Sequence, residues 1–142
     1  EDRAIFHSYD SAGNPVEVSK KDGTKIYYVW GYNKTQPIAK IENYTSISSS
    51  QQTAITNAIN ASNNDTNEAK ENTLRSYLTA LRNAFSASQV TSFTYDPLVG
   101  VTSITDPRGE VMYYEYDEFN RLKFVKNTEE EILKEHTYNY KN

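Results

Sequence analysis

The apolar positions of this chain follow two different periods. In residues 3–9, RAIFHSY, Ile5, His7 and Tyr9 alternate with Phe6 and Ser8, the two-residue period of a strand. Val16 to Ser19, Lys25 to Tyr32 (KIYYVWGY) and Pro37 to Glu42 (PIAKIE) continue the strand pattern. Between them, Asp10-Ser11-Ala12-Gly13-Asn14-Pro15 and Lys21-Asp22-Gly23 supply turn residues that accept positive φ. The texture then changes. Thr45 to Asp65 is rich in Ser, Thr, Asn, Gln and Ala, with Ile55, Ala58 and Ile59 at helical spacing. That predicts a weak helix N-capped near Ser48 to Ser50 and broken at Asn63-Asn64-Asp65. Residues 67–86 predict a firmer helix, because Leu74, Leu78, Leu81 and Phe85 form one apolar stripe. Glu71 and Arg75 on it are spaced for an i,i+4 ion pair. The stripe needs a partner, and the only large apolar surface in the chain is the sheet.

After Ser88 the strand pattern returns over Val90–Tyr95, Val101–Thr105, Glu110–Tyr116, Arg121–Lys126 and Ile132–Tyr140. The predicted fold class is therefore α+β. One module spans 1–142, a meander of antiparallel strands at 3–43 and 90–140 with a helical hairpin inserted at about 48–87.

Composition sharpens this picture. Twelve tyrosines and an aromatic content of 13% suit a pleated, half-buried surface. The absence of cysteine excludes disulfides, zinc thiolates and thiol nucleophiles. A net charge of −4, with both signs interspersed, leaves no basic footprint for nucleic acid. No apolar run approaches the ~18 residues of a membrane-spanning helix. The chain starts on Glu1-Asp2-Arg3 within a strand pattern, which suggests a piece of a longer protein.

The two strand-forming halves overlay. Tyr9-Asp10 matches Tyr95-Asp96, and Gly23 and Gly109 follow at the same interval. Tyr27-Tyr28 then matches Tyr113-Tyr114, and Trp30 matches Tyr116. Apolar Val18 and Ile104 also correspond. A third, partial copy starts at Tyr116-Asp117, continues through Asn120-Arg121-Leu122 and ends at Tyr138. Repeat units of this kind bury their faces against neighbours, so open ends leave strand edges that invite pairing.

Tyr-Asp-x-x-Gly-Arg-Leu, a short strand, a Gly turn and Tyr-x-Tyr-Asp is the pattern of Rhs/YD-repeat proteins. This chain resembles that family over residues 8–43 and 93–140. YVWGYNKTQPIAKIEN and YDPLVGVTSITDPRGEVMYYEYDEFNRL look especially like the large cell-surface members from Bacteroidetes. Two positions depart from the pattern: Asn120 replaces Gly, and Trp30-Gly31 replaces Tyr-Asp. The helical insert lies outside it. The resemblance implies a secreted or cell-surface, non-catalytic module of a β shell or adhesion surface. Its partners would be neighbouring repeats of the parent chain, cell-surface glycans or a C-terminal toxin cargo.

The candidate sites are few, and no cofactor is implied. His7 and His136 lie in the first and last strands without carboxylates at ligand spacing, so surface histidines are the favoured reading over a metal pair. Asp96-Pro97 and Asp106-Pro107-Arg108-Gly109 are similar to elements of the Rhs core autoprotease, but they sit mid-repeat, where turns explain them. Asn63 to Glu68 offers alternating oxygens as a calcium loop does, without its Gly or distal Glu, so a helix–helix loop is favoured. Sequons at Asn33, Asn43, Asn60 and Asn64 are expected by chance in an Asn-rich chain. Tyr27, Trp30, Tyr113 and Tyr114 are the candidates for stacking against sugar rings. The competing reading makes Tyr28, Trp30, Tyr114 and Tyr116 packing positions with polar tips at the rim. With two distant histidines and no clustered carboxylates, no nucleophile and base can be assembled, and no enzyme is expected.

Overall fold

A computed structural model of the chain describes residues 5–127 and 132–135. Among the described residues, nine strands form one antiparallel sheet in chain order. They are β1 (Ile5–Tyr9), β2 (Pro15–Ser19), β3 (Lys25–Gly31), β4 (Gln36–Glu42), β5 (Gln89–Asp96), β6 (Gly100–Thr105), β7 (Val111–Tyr116), β8 (Leu122–Lys126) and β9 (Ile132–Glu135). Two helices, α1 (Ser49–Asn63) and α2 (Glu68–Ala84), lie between β4 and β5. The α+β class and the inserted hairpin agree with the sequence pattern.

The helix termini are well specified. The Ser48 side chain accepts the Gln51 N–H while the Gln51 side chain accepts the Ser48 N–H, a reciprocal capping box. The Asn67 side chain caps α2 by accepting the Lys70 N–H, with Glu68 and Glu71 in the first turn and Arg82 in the last. The predicted weakness of the first helix is thus made good by its cap and by burial of Ile55, Ala58 and Ser62. Across β3, β4 and β5, Val29 faces Ala39, and Ile41 faces Val90. These side chains form one buried cluster with Ile55 and Ala58 of α1 and with Leu74, Leu78 and Leu81 of α2. The stripe read from the sequence is the face that the sheet covers.

One expectation is corrected. A register shift between Phe6 and Ser8 breaks the simple alternation assigned to Ile5, His7 and Tyr9. All five β1 residues are exposed along this edge strand. The last strand is described only over Ile132–Glu135, so Tyr138 and His136 lie outside the described residues.

The overlay of the two halves is realised as repeated geometry, at an offset of 86 residues (Tyr9 to Tyr95). Val18 pairs with Ile26 as Ile104 pairs with Met112, and Tyr9 pairs with Pro15 as Tyr95 pairs with Val101. The indole N–H of Trp30 donates to the Pro15 carbonyl at 2.8 Å. At the equivalent place the Tyr116 hydroxyl donates to the Val101 carbonyl at 2.8 Å.

The turns repeat as well. In residues 10–14, 106–110 and 117–121 the leading Asp N–H donates to the carbonyl four positions on. One Oδ1 of that Asp accepts the N–H groups two and four positions on. The third residue after each Asp takes the left-handed conformation: Gly13 at φ 85°, Gly109 at 90° and Asn120 at 62°. Asn120 is thus a working substitute for glycine. Lys20 leads a fourth turn with the same backbone bonds, and there Asp22 takes the Thr24 N–H instead.

This geometry sets a pH dependence. Partial desolvation works to raise the Asp117 carboxyl, but the Arg121 and Phe119 N–H groups and the Arg121 guanidinium outweigh it and hold it below its usual value. A carboxyl depressed in the folded state stabilises above its unfolded pKa, about 3.9, and that contribution is lost as pH falls through the folded value. Asp117→Ala is therefore expected to lower the urea midpoint at pH 7 more than Asp117→Asn, which keeps an acceptor. The gap between wild type and Asp117→Ala should narrow below about pH 4. An unchanged gap in urea melts at pH 7 and pH 3 would remove the carboxylate from the account.

Candidate functional site

Two of the openings between the helical hairpin and the sheet occupy equivalent places in the two repeats. The first, of about 420 Å³, is lined by Asp10, Val16, Tyr27, Tyr28 and Val29, with Ile55 and Ile59 of α1 as its apolar wall. The second, of about 820 Å³, is lined by the residues at the repeat offset, Asp96, Thr102, Tyr113, Tyr114 and Glu115. Its other wall is the α1–α2 connection and the start of α2, which contribute Asp65, Glu68, Glu71 and Arg75. The hairpin thus turns one repeated pocket into an apolar version and a polar version.

Several side chains of the larger cavity are held by named contacts. Glu71 pairs with Arg75 and accepts the hydroxyl of Thr102 at 3.1 Å. The Arg75 guanidinium lies 5.2 Å from the centre of the Tyr113 ring, a cation–π distance, and its Nε is buried without a hydrogen-bond partner. The Tyr32 hydroxyl donates to Asp65 at 2.7 Å and accepts the Tyr95 N–H at 2.9 Å, tying the helix connection to β5. Burial pushes the Asp65 carboxyl up and the repulsion of Asp96 adds to it, against the Tyr32 bond and the Arg75 charge. Burial alone pushes Tyr95 up to about 12.

The predicted carbohydrate contacts separate into two groups. Tyr27 is half-buried, edge-on to Tyr44 at 5.9 Å, and packed against the core. Trp30 is tied through its N–H to Pro15. Tyr113 and Tyr114 line the larger cavity, and Tyr113 already carries the Arg75 guanidinium. Tyr28 lines the smaller one. Of the repeat-signature residues, Tyr9 is exposed on the edge strand, and Arg121 donates from Nε to Asp117 at 2.9 Å.

The remaining candidates have structural partners. His7 bonds the Ser19 hydroxyl at 2.8 Å on the exposed edge strand. Asp106 anchors its turn through Arg108 and Glu110. The Asn63–Glu68 stretch is spent on capping: Asn64 caps α1, Asn67 caps α2, Asn63 accepts the Asn33 N–H, and Asp65 holds Tyr32.

Sequence reasoning missed the cavity and the tyrosine bridge through Tyr32. The signal was present in the overlay itself. Buried Val29 has exposed Glu115 as its repeat equivalent, and Val16 has Thr102. Glu115 is exposed where Val29 is buried because α1 packs on β3 and neither helix packs to the same extent on β7. No protein-family model matches this chain, and no curated protein matches it.

Proposed function

We propose that the chain is a non-catalytic structural module of a large secreted or cell-surface protein of the Rhs/YD-repeat type, contributing a length of β wall or adhesion surface. The observation that carries this reading is the repeated bond from Trp30 to Pro15 and from Tyr116 to Val101, each across the same strand pair of its copy. A unit that repeats its strand pairing, its turns and its aromatic anchor adds length without adding chemistry. The exposed β1 edge supports neighbouring repeats as partners, since β5, its equivalent, is covered by β4. In the wider reading the wall faces a C-terminal toxin cargo or surface glycans. Among the described residues no helix is long and apolar enough to cross a membrane.

Immunoblotting fractions of the source cells with antibody to this chain tests the proposal. A band far larger than 16.3 kDa at the surface or in the medium is the expected result. A band near 16.3 kDa removes the wall reading. Carbohydrate binding is a second reading, favoured by Tyr113 and Tyr114 lining one cavity. It fails if neutral oligosaccharides show no binding at millimolar concentration.

A further inference from the structure

Another opening, of about 350 Å³, lies between α2 and strands β5, β6 and β7. Among the described residues its lining holds Arg75 and Arg82 but no carboxylate, in a chain whose net charge is −4. Arg75 is paired with Glu71. Arg82 is not paired in this way. Its Nη1 donates to the Val90 and Asp106 carbonyls at 2.6 and 2.8 Å, and its Nη2 donates to the Ser92 hydroxyl at 3.1 Å. A guanidinium carries five N–H donors, so Nε–H and one Nη2–H are left without partners among the described residues. Asp106 is the acid whose charge reaches Arg82. Its Oδ1 takes the Arg108 and Glu110 N–H groups, and its Oδ2 lies 3.8 Å from the Arg108 guanidinium. Burial works against the Arg82 charge more than Asp106 supports it, and holds the guanidinium below its usual value. The polar wall is unusual for this fold: Ser92, Thr94 and Ser103, three of the four buried polar side chains among the described residues, line this one cavity.

The first repeat supplies a counter-charge that the second does not. Glu17 opposes Tyr27 as Ser103 opposes Tyr113. The Glu17 carboxylate accepts the Tyr44 hydroxyl and pairs with Lys25 at 3.7 Å. In the second repeat Ser103 and Val111 stand in the places of Glu17 and Lys25, and the cation comes from α2 instead. The sheet therefore keeps a cation at this position and loses the carboxylate that balanced it.

We propose that the cavity between α2 and strands β5–β7 binds a carboxylate group, held by the Nε–H and the remaining Nη2–H of Arg82 and by the Ser92 hydroxyl. Two N–H donors on one guanidinium meeting the two oxygens of a carboxylate form the strong, directional version of this contact. The carboxylate comes either from a small organic acid or from an acidic side chain of a partner protein. The body that carries it lies along Leu78 and Val111 of the lining. The inference stands apart from the wall reading, since a module of any parent could carry the pocket.

NMR titration of the full chain with benzoate and with a tetraglutamate peptide, at low salt, tests the assignment through the Arg82 Nε–H and Ser92 amide resonances. A saturable shift of both resonances is expected. Thr105 pairs with Ser92 across β5 and β6 and lines the cavity. Thr105→Glu places a carboxylate of the chain itself there and should weaken the tighter probe about 10-fold or more, because the built-in acid competes for the same donors. Thr105→Gln, of the same size without the charge, should weaken it by a smaller factor. Thr73→Glu adds the charge on an exposed part of α2 outside the cavity lining and should leave affinity within about 2-fold, the ordinary effect of surface charge at a distance. Should Thr105→Glu not fold by circular dichroism, Arg82→Lys decides the matter through the Ser92 amide: it keeps the charge without the two-donor edge and should cost about 10-fold in affinity. Benzoate binding as tightly as tetraglutamate assigns the free acid; a clear preference for tetraglutamate assigns the partner side chain. No saturation by either probe at 10 mM, or a loss in Thr105→Glu no greater than in the two control variants, overturns the proposal. So does inorganic phosphate that binds more tightly than both probes. A native polypeptide near 16.3 kDa would end the wall reading while leaving this titration untouched.

Discussion

Replacing Leu81 by Ala is expected to lower the unfolding free energy by about 2–5 kcal/mol, the usual cost of emptying a closed core site. Leu81 is 0% exposed and belongs to the cluster in which α2 meets the sheet. The lost contacts have no replacement, because the site is closed by a helix on one side and by hydrogen-bonded strands on the other. A domain of this size has roughly 5–15 kcal/mol of stability in all, so the single change removes a large part of it. In urea at 25 °C the midpoint should fall while the slope stays constant. Leu98→Ala is the control: Leu98 is 89% exposed in the β5–β6 turn, and its removal should change stability by less than about 0.5 kcal/mol. A loss below about 1 kcal/mol for Leu81→Ala would mean that the hairpin docks loosely. α2 also forms a wall of the larger cavity, so such a result would mean that the geometry of that cavity is not fixed.

Much of this fold was legible because it is written locally. The stripe of Leu74, Leu78, Leu81 and Phe85 fixes both the helix and its buried face. The Asp-x-x-Gly turns announce themselves because one carboxylate and one left-handed residue suffice to close them. What escaped was set by pairs of residues far apart in sequence. The alternation of Ile5, His7 and Tyr9 gave no sign of the irregular register between β1 and β2, which depends on how β2 presents itself. Tyr32, Asn33 and Lys34 all take positive φ, a turn that no Gly or Asn-Gly pair announces. Tyr32 holds that conformation while its N–H is taken by Ser62 and its hydroxyl bridges Asp65 and Tyr95. The cavity escaped for the same reason. Its two walls are about 30 residues apart in the chain, for example Thr102 and Glu71, and only the docking of the hairpin brings them together.

The departure of Trp30-Gly31 from the repeat has a physical reason, and it yields the second large prediction. In the second copy the matching pair is Tyr116-Asp117, and Asp117 opens a turn. In the first copy the chain passes under the end of α1 at this point. A Cβ built on Gly31 would stand 2.2 Å from the Ser62 hydroxyl oxygen and 2.8 Å from a methyl of Ile38. Real side chains do not tolerate such distances, so glycine here serves close approach of a helix to a strand. Ser62 cannot swing away cheaply. Its hydroxyl accepts the buried Tyr32 N–H at 2.9 Å and donates to Ile59 at 2.7 Å. Gly31→Ala is therefore expected to cost about 1–3 kcal/mol through overpacking. Ser62→Ala should also destabilise, by about 1–3 kcal/mol, because the Tyr32 N–H loses its acceptor. The double variant decides between close approach and mere backbone preference. If the clash is the cause, removing the Ser62 oxygen relieves part of it, and the two losses should sum to more than the double variant's by about 0.5–3 kcal/mol. Strict additivity in urea melts would show that the strand shifts to accept the methyl group. The glycine would then be a relic of the repeat's divergence with no part in docking α1.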